Sequence, residues 1–172
     1  SEDKPPHVEC RDVGRYTAIL RDEIIPFPVT AEDDYGIREI SMRWHTKSSG
    51  EKEYPGNPSS YPLRQGSHDT RNLSGKFAFS PVMLNIPEET VTRIVATATD
   101  YKPNRPASRS VEYYVYVLSY SHHAQIIREK LERLKSRLDD LALTEEELMA
   151  ANKMLNTLSK RGHGKTQAEP VR

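Results

Sequence analysis

Up to about residue 120, apolar and polar positions alternate in short runs, the period of half-buried strands. Ile40, Met42 and Trp44 share one face of a run whose other face carries Glu39, Ser41, Arg43 and His45. Ile25, Phe27, Val29 and Ala31 share a face in an earlier run. Pro26 and Pro28 on its opposite face remove two ladder donors, which predicts an edge strand or a late-starting one. Ile94, Ala96 and Ala98 alternate with Val95, Thr97 and Thr99; Val111, Tyr113, Val115 and Val117 alternate with Glu112, Tyr114 and Tyr116. Phe77 and Phe79 precede Pro81, after which Val82, Leu84 and Ile86 resume in a shifted register. With a short run over Tyr16–Leu20, this makes six or seven strands and no intervening helix. That pattern predicts a mainly β fold over residues 9–119: an immunoglobulin-like antiparallel β-sandwich with Greek-key connections. Trp44 suits the core-facing tryptophan on the third strand of such domains. The single cysteine, Cys10, excludes the inter-sheet disulfide of antibody domains, which moves the reading towards cadherin- or fibronectin-like relatives.

Beyond residue 120 the period changes. Residues 121–160 contain no Gly or Pro, and leucine recurs at three- and four-residue spacing. With Leu131 at heptad position a, the a/d seam runs Ala124, Ile127, Leu131, Leu134, Leu138, Leu141, and charged residues occupy the other faces. Glu129 and Arg133 stand four apart, in the favourable order for a helix-surface pair. The seam fails at Glu145 and Asn152. Thr144 followed by Glu147 reads as a capping box, so a second helix could begin there, with Leu148, Ala151, Leu155 and Leu158 as its stripe. The connection is very short for a hairpin, which favours one continuous or kinked helix over residues 120–160. Its apolar stripe needs cover. A strict a/d seam favours self-association or partner helices over packing on the sandwich. Basic residues dominate Arg128–Arg137 and acidic ones Asp139–Glu147, a register signal for an antiparallel partner. The ends, residues 1–8 and 161–172, read as disordered tails.

Composition narrows the role. The 172 residues include 25 basic and 25 acidic side chains, so there is no global field for nucleic acid. Hydrophobic residues make up 35% of the chain and mean hydropathy is −0.75, which predicts one modest core with solvated parts around it. No apolar run is long enough to cross a bilayer. The start at Ser1 reads as a piece of something longer.

No phosphate loop, nucleophile elbow or zinc-protease motif is present, so the reading is non-enzymatic, with no catalytic residue and no cofactor implied by a motif. His122 and His123 are adjacent, and neighbouring helical residues point apart, which suits a metal poorly. Asn72-Leu73-Ser74 matches the glycosylation sequon, a motif common by chance. The Tyr/Pro/Ser-rich stretch 48–70 reads as a long loop, with a short strand at most. Its Tyr54 and Tyr61 give it the chemistry of a recognition loop, or of a solvated insertion. If the runs ending near residues 31 and 100 are strands B and F, loops 32–36 and 100–106 meet at one end of the sandwich. Glu32, Asp33, Asp34, Asp100 and Asn104 would then form an oxygen-rich cluster suited to calcium. Alternatively, Asp-Asp-Tyr-Gly is simply a turn, capped by its own carboxylates, with Gly36 at positive φ.

The stretches "VTAEDDYGIREISMRW" and "IVATATDYKPNRPASRSVEYYVYVLS", followed at once by "HHAQIIREKLERLKSRLDDL", resemble a module of large bacterial envelope proteins of unknown function. In that module an immunoglobulin- or cadherin-like domain with an A-x-D-D-x-G-[IL] turn precedes a long helical region. The shared pieces are that turn, the stretch around Asp100 and Pro103, and the strand-to-helix junction Val117-Leu118-Ser119. They cover about half of the chain. The Tyr/Pro/Ser-rich loop departs from the common form. The resemblance implies an extracytoplasmic structural or interaction module of a bacterial envelope protein, and it implies no activity. The alternative is a calcium-stiffened adhesion or ligand-binding domain.

Overall fold

The computed structural model describes residues 3–163. The expected C-terminal tail lies outside them from residue 164 on. The elements in order are β1 (His7–Cys10), β2 (Tyr16–Leu20), β3 (Ile25–Glu32), β4 (Ile37–Ser48), β5 (Ser59–Gln65), β6 (Asn72–Phe79), β7 (Thr90–Asp100), β8 (Ser108–Arg109), β9 (Tyr113–Leu118) and α1 (Tyr120–His163). The chain divides into two compact units, Ser1–His123 and Ala124–Arg172.

The first unit is a two-sheet sandwich. One sheet has the order β1-β3-β6; the other runs β2-β9-β7-β4-β5, with β8 added on β7. Every pairing is antiparallel except β2 with β9, which run parallel. Non-consecutive neighbours, β3 beside β6 and β4 beside β7, are the Greek-key signature expected of the immunoglobulin type. The chain contributes a strand to each sheet at its start, crossing over between Cys10 and Tyr16 through Asp12, which takes a left-handed φ of 55°.

The alternation explains the core. Phe27, Val29 and Ala31 of β3, Phe77 and Phe79 of β6, Ile40 and Met42 of β4, Ile94, Ala96 and Ala98 of β7, and Val115 and Val117 of β9 are all buried together. Tyr113 meets Phe27 edge-on at 5.7 Å and donates its hydroxyl to the Cys10 carbonyl at 3.2 Å, so its polar tip is satisfied. Trp44 is half-buried at the margin, stacked on Phe77 at 5.4 Å.

Several elements differ from expectation. β3 is the centre of its sheet, not an edge. β1 pairs with Val29–Glu32, and Arg11 N–H just beyond it donates to the Pro28 carbonyl at 3.0 Å, so only Pro26 stands where β6 is the sole neighbour. The apolar run after Pro81 is a turn, closed by Leu84 N–H to the Ser80 carbonyl (2.9 Å) and Ile86 N–H to the Pro81 carbonyl (2.8 Å), with Asn85 at φ 54°. Val82 and Met83 are therefore exposed, while Ile86 is buried in the core and Leu84 packs against it half-buried. Val111 precedes β9 and is exposed. Structure begins earlier than expected, with β1 starting at His7. The 48–70 stretch contains β5, paired along β4 with a bulge after Ile40.

The helix is continuous through Thr144. Ser119 caps its start, accepting from His122 N–H at 3.2 Å. Thr144 does not act as a cap. Its hydroxyl donates to the Asp140 carbonyl at 2.9 Å, the bond of a helix-interior threonine. Glu129 accepts from Gln125 at 3.3 Å, one turn away from its expected partner Arg133.

Candidate functional site

The loops after β3 and β7 do meet. Carboxylate oxygens of Asp3, Asp33 and Asp100 lie within 4.8 Å of one another. The cation among them is Arg105. Its guanidinium bonds Asp100, reaches Asp3 Oδ2 at 2.9 Å, and donates to the backbone carbonyls of Asp3 (3.0 Å) and Lys4 (2.8 Å). Asp33 Oδ2 accepts from the N–H groups of Tyr35 (3.0 Å) and Gly36 (2.7 Å), the self-capped turn; Asp33 Oδ1 is buried without a hydrogen-bond partner. Gly36, at φ 145°, is pressed against His68, whose carbonyl oxygen lies 2.3 Å from where a Cβ would stand. Glu32 and Asp34 are exposed, and Asn104 serves the turn with φ 59°. Of the five expected oxygen ligands, the fold therefore brings Asp33 and Asp100 together. It adds Asp3 and Arg105, which no sequence spacing marked.

The opposite end of β7 carries a second polar junction. Glu89 holds a left-handed φ of 56°. Its carboxylate accepts the Ser119 N–H at 2.9 Å and the Tyr116 hydroxyl at 2.5 Å, and faces His122 Nδ1 at 3.2 Å. The hydrogen bonds from Ser119, then Tyr116, hold this carboxyl down to about 2, against partial burial, which pushes it up. His122 is thus engaged by Glu89, not paired with His123 for a metal.

The outer face of the larger sheet is the most built surface of the first unit. Register aligns His45 of β4 with Arg93 of β7, Arg93 with Tyr114 of β9, and Tyr114 with Tyr16 of β2. Tyr16 and Tyr114 stack at 5.5 Å. Tyr54, from the loop after β4, folds back over this row. Its ring lies 5.1 Å from His45, with Arg93 at 4.7 Å and Lys47 at 5.0 Å over it, and His45 Nε2 meets the Pro55 carbonyl at 2.8 Å. Burial pushes the Tyr54 hydroxyl pKa upward. Beside this cover lies a pocket of about 410 Å³, with Val95 among its lining and Arg43, Arg93 and Arg109 around it. Glu112 is shared: it accepts from Tyr114 at 2.6 Å and lies 3.7 Å from Arg93. Tyr61, the other tyrosine expected of the loop, sits on β5 opposite Met42, 6.2 Å from the Phe77 ring and half-exposed. The parity of Arg43, His45 and Arg93 was readable in sequence; their convergence required the β4–β7 register.

The second unit offers a different surface. Ile127, Leu131, Leu134, Leu138 and Leu141 are all exposed, at 44 to 65%. Because the helix does not break, Leu148 and Leu155 extend the d positions unbroken from Ile127. Among the described residues no helix is long and apolar enough to cross a membrane.

No known protein family and no curated protein matches the chain. Among solved structures, the sporulation control protein Spo0M from Bacillus subtilis aligns at TM-score 0.43 and 14% identity, over 76% of this chain and 55% of that one. This chain thus spans about half of the Spo0M chain. The CARDB domain of PF1109 from Pyrococcus furiosus aligns at TM-score 0.39 and 13% identity, over 66% of this chain and 93% of that one. A β-glucosidase from Listeria innocua aligns at TM-score 0.36 and 12% identity, over 67% of this chain and 17% of that one. These are distant likenesses of fold and say nothing of role.

Proposed function

We propose that this chain is a non-enzymatic structural and interaction module of a larger, extracytoplasmic bacterial envelope protein, and that its helix assembles with a second copy of itself in antiparallel orientation. The sequence resemblance supports the setting. The exposed seam of α1 is the observation that carries the assembly. Leucines in water at heptad spacing leave apolar area that a partner seam covers, each side chain contributing about 1.5–3 kcal/mol when fully buried. Charge selects the orientation. Arg128, Lys130, Lys135 and Arg137 flank the seam at e and g positions, so a parallel pair sets Lys130 against the partner's Lys135. An antiparallel pair instead lays this basic stretch beside the partner's Asp139, Asp140 and Glu145–Glu147.

Sedimentation of the whole chain across a concentration series tests this. The expected result is a monomer–dimer equilibrium whose affinity falls with salt. Leu131→Asp with Leu138→Asp takes four leucines out of a dimer, roughly 6–12 kcal/mol of burial at full cover, weakening it more than about a thousandfold. The sandwich should still melt as before. A chain that stays monomeric at the highest soluble concentration overturns the reading.

A further inference from the structure

We infer that the pocket on the outer face of the six-stranded sheet is a binding site for an organic dianion, a phosphate ester or a dicarboxylate, independent of helix assembly. Three guanidiniums, from Arg43, Arg93 and Arg109, converge on one concavity. Of the lining residues only Glu112 is acidic, and it is already engaged by Arg93 and by the Tyr114 hydroxyl. Arg43 and Arg109 have no carboxylate partner among the described residues. The lining therefore carries two uncompensated positive charges, and a ligand with two negative charges matches them. Guanidinium is the side chain best suited to this, because its planar fork meets phosphate and carboxylate oxygens in pairs.

The surroundings are organised, not loose. Arg43 is half-buried and held on a central strand, paired with Val95. Arg109 is fixed by the short ladder of β8, opposite Thr97. Arg93 is wedged between Tyr54 and Glu112. Tyr54 and Pro55 close one side, tied to the sheet through His45. At about 410 Å³ the pocket falls in the range that takes a small organic molecule. The strand framework sets the charges before any ligand arrives, so little ordering opposes binding.

Calorimetric titration of the full chain with phenyl phosphate and with digalacturonate, at low salt, reads occupancy; glucose serves as the neutral control. The expected result is saturable binding of at least one dianion, none of glucose, and weakening as salt rises. Preference for phenyl phosphate assigns a phosphate ester, and preference for digalacturonate assigns a dicarboxylate. Arg43→Gln and Arg109→Gln, each alone, weaken binding by about tenfold or more. Lys76→Gln, on the other sheet, leaves it unchanged. Arg109 is exposed, so its variant keeps the fold and decides the matter even if Arg43→Gln does not. Absence of saturable binding of both dianions at millimolar concentration overturns the inference. Equal weakening by Lys76→Gln, or none by Arg109→Gln, also overturns it.

Discussion

Glu89 shows how much a single side chain can organise. It ends a turn in a conformation that costs a non-glycine residue strain, and its carboxylate then joins β9, the helix cap and His122. Its folded pKa of about 2 lies below its ordinary 4.5. The stabilisation it gives is complete above pH 4.5 and disappears as the pH falls towards 2. Glu89→Gln should therefore lower the melting temperature at pH 7, and the gap from the parent should close on acidification to about pH 2. A gap that persists unchanged at low pH would mean the carboxylate charge is not what matters. Nothing in the sequence marked this residue, because its partners come from 27 to 33 positions away. Asp33 and Asp100 were legible, since turn sequences place them at strand ends. Arg105 and Asp3 were not, because spacing says nothing about which cation closes a carboxylate cluster.

At the level of elements, pattern was the better guide where burial was one-sided. β7 and β9 alternate over most of their length and their inward residues are core, as are Ile40 and Met42 of β4, where a register shift near Glu39 and the buried Ser41 interrupt the alternation. β5 does not alternate and carries Pro62; it exists because β4 is long enough to offer it an edge. The helix posed the converse difficulty. Its local signals at Thr144 are those of a start, yet the threonine bonds back into the preceding turn and the helix runs on. That continuity matters for orientation, because it prolongs the seam to Leu155. In a Cys10→Ser background, Leu155→Cys should not form a disulfide with its own copy in an antiparallel dimer, since d positions far from the dimer axis then lie apart. Efficient crosslinking under mild oxidation would identify a parallel pair.

The chain consists of two compact units. The sandwich has its own buried core, and among the described residues none of α1 belongs to it. A chain ending at His123 should therefore fold and melt within error of the parent's sandwich transition, as followed by Trp44 fluorescence. A large loss of stability would show that the second unit supports the first. The low hydrophobic content legible in the composition follows this division: the first unit has a buried core, and the leucines of the second are exposed.

The parallel pairing of β2 with β9 gives the first unit a mechanical character. Asp3 is bound beside Asp100 and Ser119 beside Glu89, so the chain enters and leaves at opposite ends of β7, about 35 Å apart. Tension between those ends pulls the start of β2 and the finish of β9 in opposite directions. Because the strands run the same way, that load acts along the ladder, in shear. The five register pairs from Tyr16–Tyr114 to Leu20–Leu118 then yield together instead of unzipping one by one. A module tethered at both ends would first load Asp3 and β1, and would unravel beyond them only after that ladder gives.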